Sequence, residues 1–242
     1  MDEIQDELRE IAPLIQPIVT QQVDLMVQPL KFDGATSTSA WVFMSNDRTL
    51  GIHMSQDQLL VFTNKYVRYA DFEKIIDKSL QVLLKHMRFM DISITGVRYV
   101  DHIKMQEGEQ YQDYINESLL PSDFAGLDRI GGVIAGVYKV NDVSLRVRCI
   151  TQPDAFTVPE DIIGLAALTQ EPNKPIELKV LSESELLLDM DAIKQFPEPQ
   201  RMDNQKDILV HLQNLHTVAN NFFRHQDVCT NHAFKLWKGE VL

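Results

Sequence analysis

The chain has 242 residues, 44% of them hydrophobic and 24% charged, and its 35 Asp and Glu outweigh 23 Lys and Arg for a net charge of -12. That length supports one large domain or two small ones, and the apolar fraction is too high for a disordered chain. No run approaches the roughly 18 uncharged apolar residues of a membrane-spanning helix, and the acidic balance opposes phosphate-backbone binding over a broad surface.

The first ten residues, MDEIQDELRE, are acidic. A signal peptide begins basic and then turns apolar, so a cytoplasmic location is the expectation. Residues 4–18 read as a short helix ending before Pro13, followed by entry into a strand. Val23, Leu25 and Val27 alternate in a strand closed by Pro29, and Lys31 to Ser39 reads as a polar loop. Three short apolar runs follow, Ala40 to Met44, Thr49 to Met54 and Gln58 to Thr63, separated by Asn46-Asp47 and Gln56-Asp57. That spacing predicts an antiparallel meander.

From Asp71 onward, Phe72, Ile75, Ile76, Leu80, Leu83, Met87 and Met90 recur at helical spacing. Ile92 to Met105 reads as a long strand, and residues 106–129 as a polar connector with a helical candidate at Tyr111 to Leu119. Ile130 to Val140 and Val143 to Thr151 form a hairpin turned at Asn141-Asp142. An insertion from Gln152 to Pro175 precedes a strand from Pro175 to Met190. A helix over Asp203 to Arg224 comes next, and a last helix, capped by Thr230, runs through Trp237. The expected fold is α+β, with two similar halves, each an antiparallel sheet carrying a long helix across one face. The expected division is residues 1–107, a connector over 108–129, and residues 130–242.

Gly96-Val97-Arg98-Tyr99-Val100-Asp101-His102-Ile103 resembles the GLRYINRI strand of a sporadically distributed prokaryotic family of similar chain length with no assigned activity. Leu186-Leu187-Leu188-Asp189-Met190-Asp191 and the ending Thr230 to Trp237 are similar to that family in order and spacing. Asp101 and His102 stand where the family has Asn and Arg. The resemblance implies no catalytic residues.

Three groups of residues could carry chemistry. Alternation sets Asp101 in an apolar row with Val97, Tyr99 and Ile103, opposite Arg98 and His102. A carboxylate there needs a partner, or else serves proton transfer with His102. Arg146 and Arg148 share one strand face, as do Asp189 and Asp191, which predicts cross-strand ion pairing, Arg146 with Asp189 among the pairs. An Asp-x-Asp metal site lacks further oxygen ligands. Finally, Tyr66, Arg68 and Tyr69 beside Lys65 interleave aromatic and basic residues, suiting protein recognition better than nucleic acid in so acidic a chain.

Cys149 and Cys229 are far apart and form no CxxC, and His225, Cys229 and His232 would be split by a helix start at Thr230. No residue set calls for a metal or cofactor. GxxxxGK[ST], GxGxxG, GxSxG and HExxH are all missing, and Gly131-Gly132 opens a strand instead of cradling phosphate. The leading expectation is a non-enzymatic module that binds another protein with a basic surface, or a second copy of itself. The alternative is an enzyme or small-ligand binder using Arg98, His102, Arg146 and Asp189 in a groove between the halves.

Overall fold

The computed structural model describes residues 2–27, 30–172 and 174–239. The chain is α+β, with two four-stranded antiparallel sheets. It divides into two compact units, Met1–Arg88 with Gly164–Ile176, and Phe89–Ile163 with Glu177–Leu242.

In the first unit, helix α1 (Asp2–Leu8) precedes strands β1 (Leu14–Val27), β2 (Leu30–Met44), β3 (Leu50–Met54) and β4 (Leu59–Thr63), which pair in chain order as a meander. The stretch Lys31 to Ser39, expected as a loop, is strand. Its backbone pairs with β1, Thr36 against Gln22 and Thr38 against Thr20, across a register shift between Gln22 and Asp24. A polar, Ser/Thr-rich strand has no apolar alternation to announce it, so only the partner strand defines it. Helix α2 (Tyr69–Met87) follows and packs against α1. Ile76, Leu80 and Leu83 of the expected helical stripe are buried, as are Leu8, Val42, Phe43 and Ile52, whereas Met87 is exposed and Met90 lies in the next strand.

The second sheet contains β5 (Met90–Lys104), β6 (Val133–Val140), β7 (Val143–Ile150) and β8 (Glu185–Met202), in the order β5-β8-β7-β6. β5, expected to complete the first half, instead pairs with β8 along nearly its whole length, so the N-terminal stretch of the first unit ends at Arg88 and the connector lies inside the second. The connector holds helix α3 (Tyr111–Tyr114) and a 3-10 turn at Glu117–Leu119. Asn141 takes a positive φ of 55° in the β6–β7 turn, which an Asn tolerates. Gly131 has φ 143°, and a Cβ there would lie 2.6 Å from the Thr151 carbonyl oxygen, so glycine serves close strand entry.

β8 begins later than expected and runs on through Pro197 and Pro199. Both prolines fall in a bulge, where Gln195 pairs with Ile94 and Gln200 with Ile92, beyond the reach of β7. Their missing N–H groups therefore cost no ladder hydrogen bond. Helix α4 (Ile163–Leu168) ends the apolar part of the insertion. Helix α5 (Gln205–Phe223) lies against β8 and β5, and less extensively β7, burying Ile208, Leu215 and Ala219. Helix α6 (Asn231–Trp237) is capped as expected, with Thr230 Oγ1 accepting from the Ala233 N–H at 3.1 Å.

Candidate functional site

The middle strands of the second sheet have two unlike faces, fixed by alternation. Leu145, Val147 and Cys149 of β7 and Leu186, Leu188 and Met190 of β8 join Leu215 and Ala219 of α5 in the core. The opposite face carries Arg146 and Arg148 beside Asp191 and Asp189, with Arg146 paired in register to Asp191 and Arg148 to Asp189. On the far side of β8, Arg98 of β5 stands opposite Asp191. The expected charged rows therefore share one face, joined by Arg98 of β5, and one of the two rungs between β7 and β8, Arg148 with Asp189, is an ion pair.

Asp189 is the centre of the cluster and only 3% exposed. Arg98 donates to it through Nε at 2.8 Å and Nη2 at 3.0 Å, and Arg148 through Nε at 2.8 Å. A fourth residue, Asp161, closes the group from above. It accepts from Arg98 Nη1 at 2.6 Å and Nη2 at 3.1 Å, and from Arg148 Nη2 at 3.1 Å. The hydrogen bond from Arg98, and then that from Arg148, holds the Asp161 carboxyl far below the usual carboxylate range. Two guanidinium forks and two carboxylates thus form a neutral, hydrogen-bonded quartet, the arrangement in which a buried charge is tolerated.

Asp161 was not legible in the sequence. It sits in a 3-10 turn (Glu160–Ile162) within the insertion, where no period marks a side chain's direction. The turn is held by backbone bonds between two stretches of the same unit, Thr157 N–H to the Lys179 carbonyl at 2.9 Å and Leu181 N–H to the Ala155 carbonyl at 2.7 Å. The only local signal was an acidic pair following Pro159.

Arg146 and Asp191 behave differently. Neither has a hydrogen-bond or ion-pair partner among the described residues, although they face each other across β7 and β8. The expected pairing of Arg146 with Asp189 is therefore corrected: the arginine that reaches Asp189 on β7 is Arg148, its register partner. Burial raises the Asp191 carboxyl above its ordinary value. Both residues line a pocket of about 380 Å³, together with the quartet and with Ala135, Gly136 and Val137 of β6.

Asp101 lies on the core face, opposite Leu188, with no hydrogen-bond or ion-pair partner among the described residues. Burial raises its carboxyl to about 6. Cys229 lies within its electrostatic reach; burial first, and then that charge, pushes the thiol up to about 12. His102 points to the other face and meets Glu185 at 3.4 Å, so Asp101 and His102 do not form one site. Glu185 is held at about 2, chiefly by the hydrogen bond from Lys104.

The aromatic-basic strip loses Tyr69 to the interior, while Tyr66 and Arg68 stay exposed. Tyr69 is buried at the start of α2, Arg68 bonds Asp71, and Tyr66 packs edge-on to Phe72 at 6.2 Å between ring centroids. Helix α2 starts at Tyr69, which turns that ring inward and leaves Tyr66 alone exposed among the three residues' aromatics. His225 meets Asp227 at 3.5 Å, His232 meets Glu109 at 2.8 Å and Cys229 is buried, so these three do not converge. Among the described residues no three His, Cys, Asp or Glu are grouped to hold a metal, and no helix is long and apolar enough to cross a membrane. No protein-family model, curated protein or solved structure matches the chain.

Proposed function

We propose that the protein is a non-catalytic, cytosolic module that binds another protein by strand addition to β6. One observation carries this reading. β6 is an edge strand of eight residues, VIAGVYKV, whose outer hydrogen-bonding row has no neighbouring strand among the described residues. Val137 is 72% exposed, and Val133, Tyr138 and Val140 are exposed beside it. Folded proteins ordinarily blunt such edges with charge, proline or a covering element, and β6 offers only Lys139. An unprotected apolar edge is the template used in β-augmentation, in which main-chain bonds provide affinity.

The net charge of -12 selects for a basic partner, and a second copy joined edge to edge is the other form this pairing takes. The patchy distribution of the family that the chain resembles supports reading such a module as an accessory or neutralising partner in a prokaryotic defence or toxin-associated system. Each unit runs four antiparallel strands and then a 19-residue helix, which supports reading the halves as a duplication with altered strand order.

The test is affinity purification of the full chain from its native cells, beside a Val133→Lys, Val140→Lys double variant. Capture of one basic protein or of a second copy, lost in the variant while circular dichroism and melting temperature are kept, is the expected result. Capture that is indifferent to both lysines overturns the reading.

A further inference from the structure

The charged face of the second sheet holds a quartet that is complete and, next to it, a pair that is not. Arg98, Arg148, Asp161 and Asp189 use their donors and acceptors on one another. One step along, Arg146 is exposed with its guanidinium unpartnered among the described residues, and Asp191 is half-buried without a donor. Residues opposed in an antiparallel pair have Cβ atoms about 4.5–5.5 Å apart, so a cation and an anion stand side by side without meeting. A half-buried carboxylate with no donor is an unfavourable arrangement that a bound ammonium would relieve.

From these features we propose that the pocket over β7 and β8 is a site for a free amino acid with a modest apolar side chain, its carboxylate on Arg146 and its ammonium on Asp191. This is independent of strand addition at β6.

Three observations select that class. The pocket, about 380 Å³, lies at the small end of ligand cavities. Its ionic lining is balanced, three arginines (Arg98, Arg146, Arg148) against three aspartates (Asp161, Asp189, Asp191), so the wall has no net charge. A phosphate or dicarboxylate would meet the aspartates, and a simple amine the arginines; a neutral zwitterion matches both. The third is the wall beyond the charges, where Ala135 and Val137 register with Arg148 and Arg146 and give an apolar shelf. A guanidinium takes a carboxylate through two parallel N–H bonds, which would fix the ligand's orientation. The local cause of the arrangement is Asp189: by drawing the hydrogen bonds of Arg98 and Arg148 to itself, it leaves Asp191 within reach of Arg98's charge but with no hydrogen bond from either arginine.

The experiment is a titration of the full chain, followed by amide chemical shifts, with glycine, L-valine and L-leucine. N-acetyl-L-valine, which keeps only the carboxylate, and L-valinamide, which keeps only the ammonium, are the controls. Saturable shifts with valine or leucine are expected, with both controls at least about tenfold weaker, the size of effect from leaving one polar partner unpaired. Arg146→Gln should weaken valine and N-acetylvaline alike. Asp191→Asn should weaken valine and leave N-acetylvaline unchanged, a pattern that a merely structural role would not produce. Either variant that retains the dispersed sheet amides is folded and informative. No saturable shift with any of the three amino acids up to about 10 mM overturns the proposal, as does valine binding untouched by Asp191→Asn.

Discussion

Strands β5 and β8 carry a carboxylate on each of their two faces, Asp189 buried and Asp101 half-buried, and they treat the two in opposite ways. On the outer face Asp189 is almost fully covered and takes three hydrogen bonds from the two arginines of neighbouring strands. On the core face Asp101 sits opposite Leu188 with no such partner among the described residues, and its carboxyl is raised to about 6. The difference is one of partners: donors surround the carboxylate on the outer face, whereas burial without a donor raises the one on the core face.

That contrast can be broken from either side. The largest effect belongs to the outer face. Asp189→Ala leaves Arg98 and Arg148 hydrogen-bonded to the exposed Asp161 alone, and a loss of about 3 kcal/mol in urea unfolding is expected. A loss under about 1 kcal/mol would mean that water screens the quartet and that the two faces are alike.

On the core face the expected sign is reversed. The folded-state value of Asp101 lies above the ordinary 3.8, so the folded protein holds this proton more tightly than the unfolded chain. The stability this group contributes is complete below about pH 4 and is lost as pH rises through about 6. Asp101→Asn should flatten the melting temperature across that window and stabilise the protein at pH 8 by about 2 kcal/mol, allowing for the carboxyl's partial contact with water. Parallel pH curves for the variant and the parent would refute the assignment. Asp161, lowered by Arg98 and Arg148, works in the opposite direction and loses its contribution on acidification.

The smallest effect sharpens the comparison within the outer face. A double-mutant cycle on Arg148 and Asp189 should give a coupling of about 1–3 kcal/mol, whereas Arg146 and Asp189 should be additive to within about 0.5 kcal/mol. Equal coupling in the two cycles would show that the quartet extends to Arg146.

Much of this was legible from period alone. Alternation in Val143 to Ile150 and in Leu186 to Asp191 set the arginines and aspartates on one face each, because successive side chains on a strand must point oppositely. The same rule set Asp101 in an apolar row, and the 3.6-residue period set Leu83, Leu215 and Ala219 in the cores. Asn141-Asp142 fixed the β6–β7 turn, and Thr230 fixed the start of α6.

What period cannot carry is pairing between distant segments. Nothing in Met90 to Lys104 says that its neighbour lies about ninety residues on, so β5 was counted with the wrong half. Lys31 to Ser39 became a strand because β1 supplies its hydrogen bonds, which its own side chains do not advertise. Tyr69 left the recognition strip because the helix start turned it inward. Asp161 reached the arginines from a loop, where direction depends on the anchoring bonds between residues 154–157 and 179–181. The sequence alone determined which residues share a face. Only the tertiary structure decided which faces meet, because contact between distant segments depends on register and chain reversal, and these are settled by the free energy of the whole assembly.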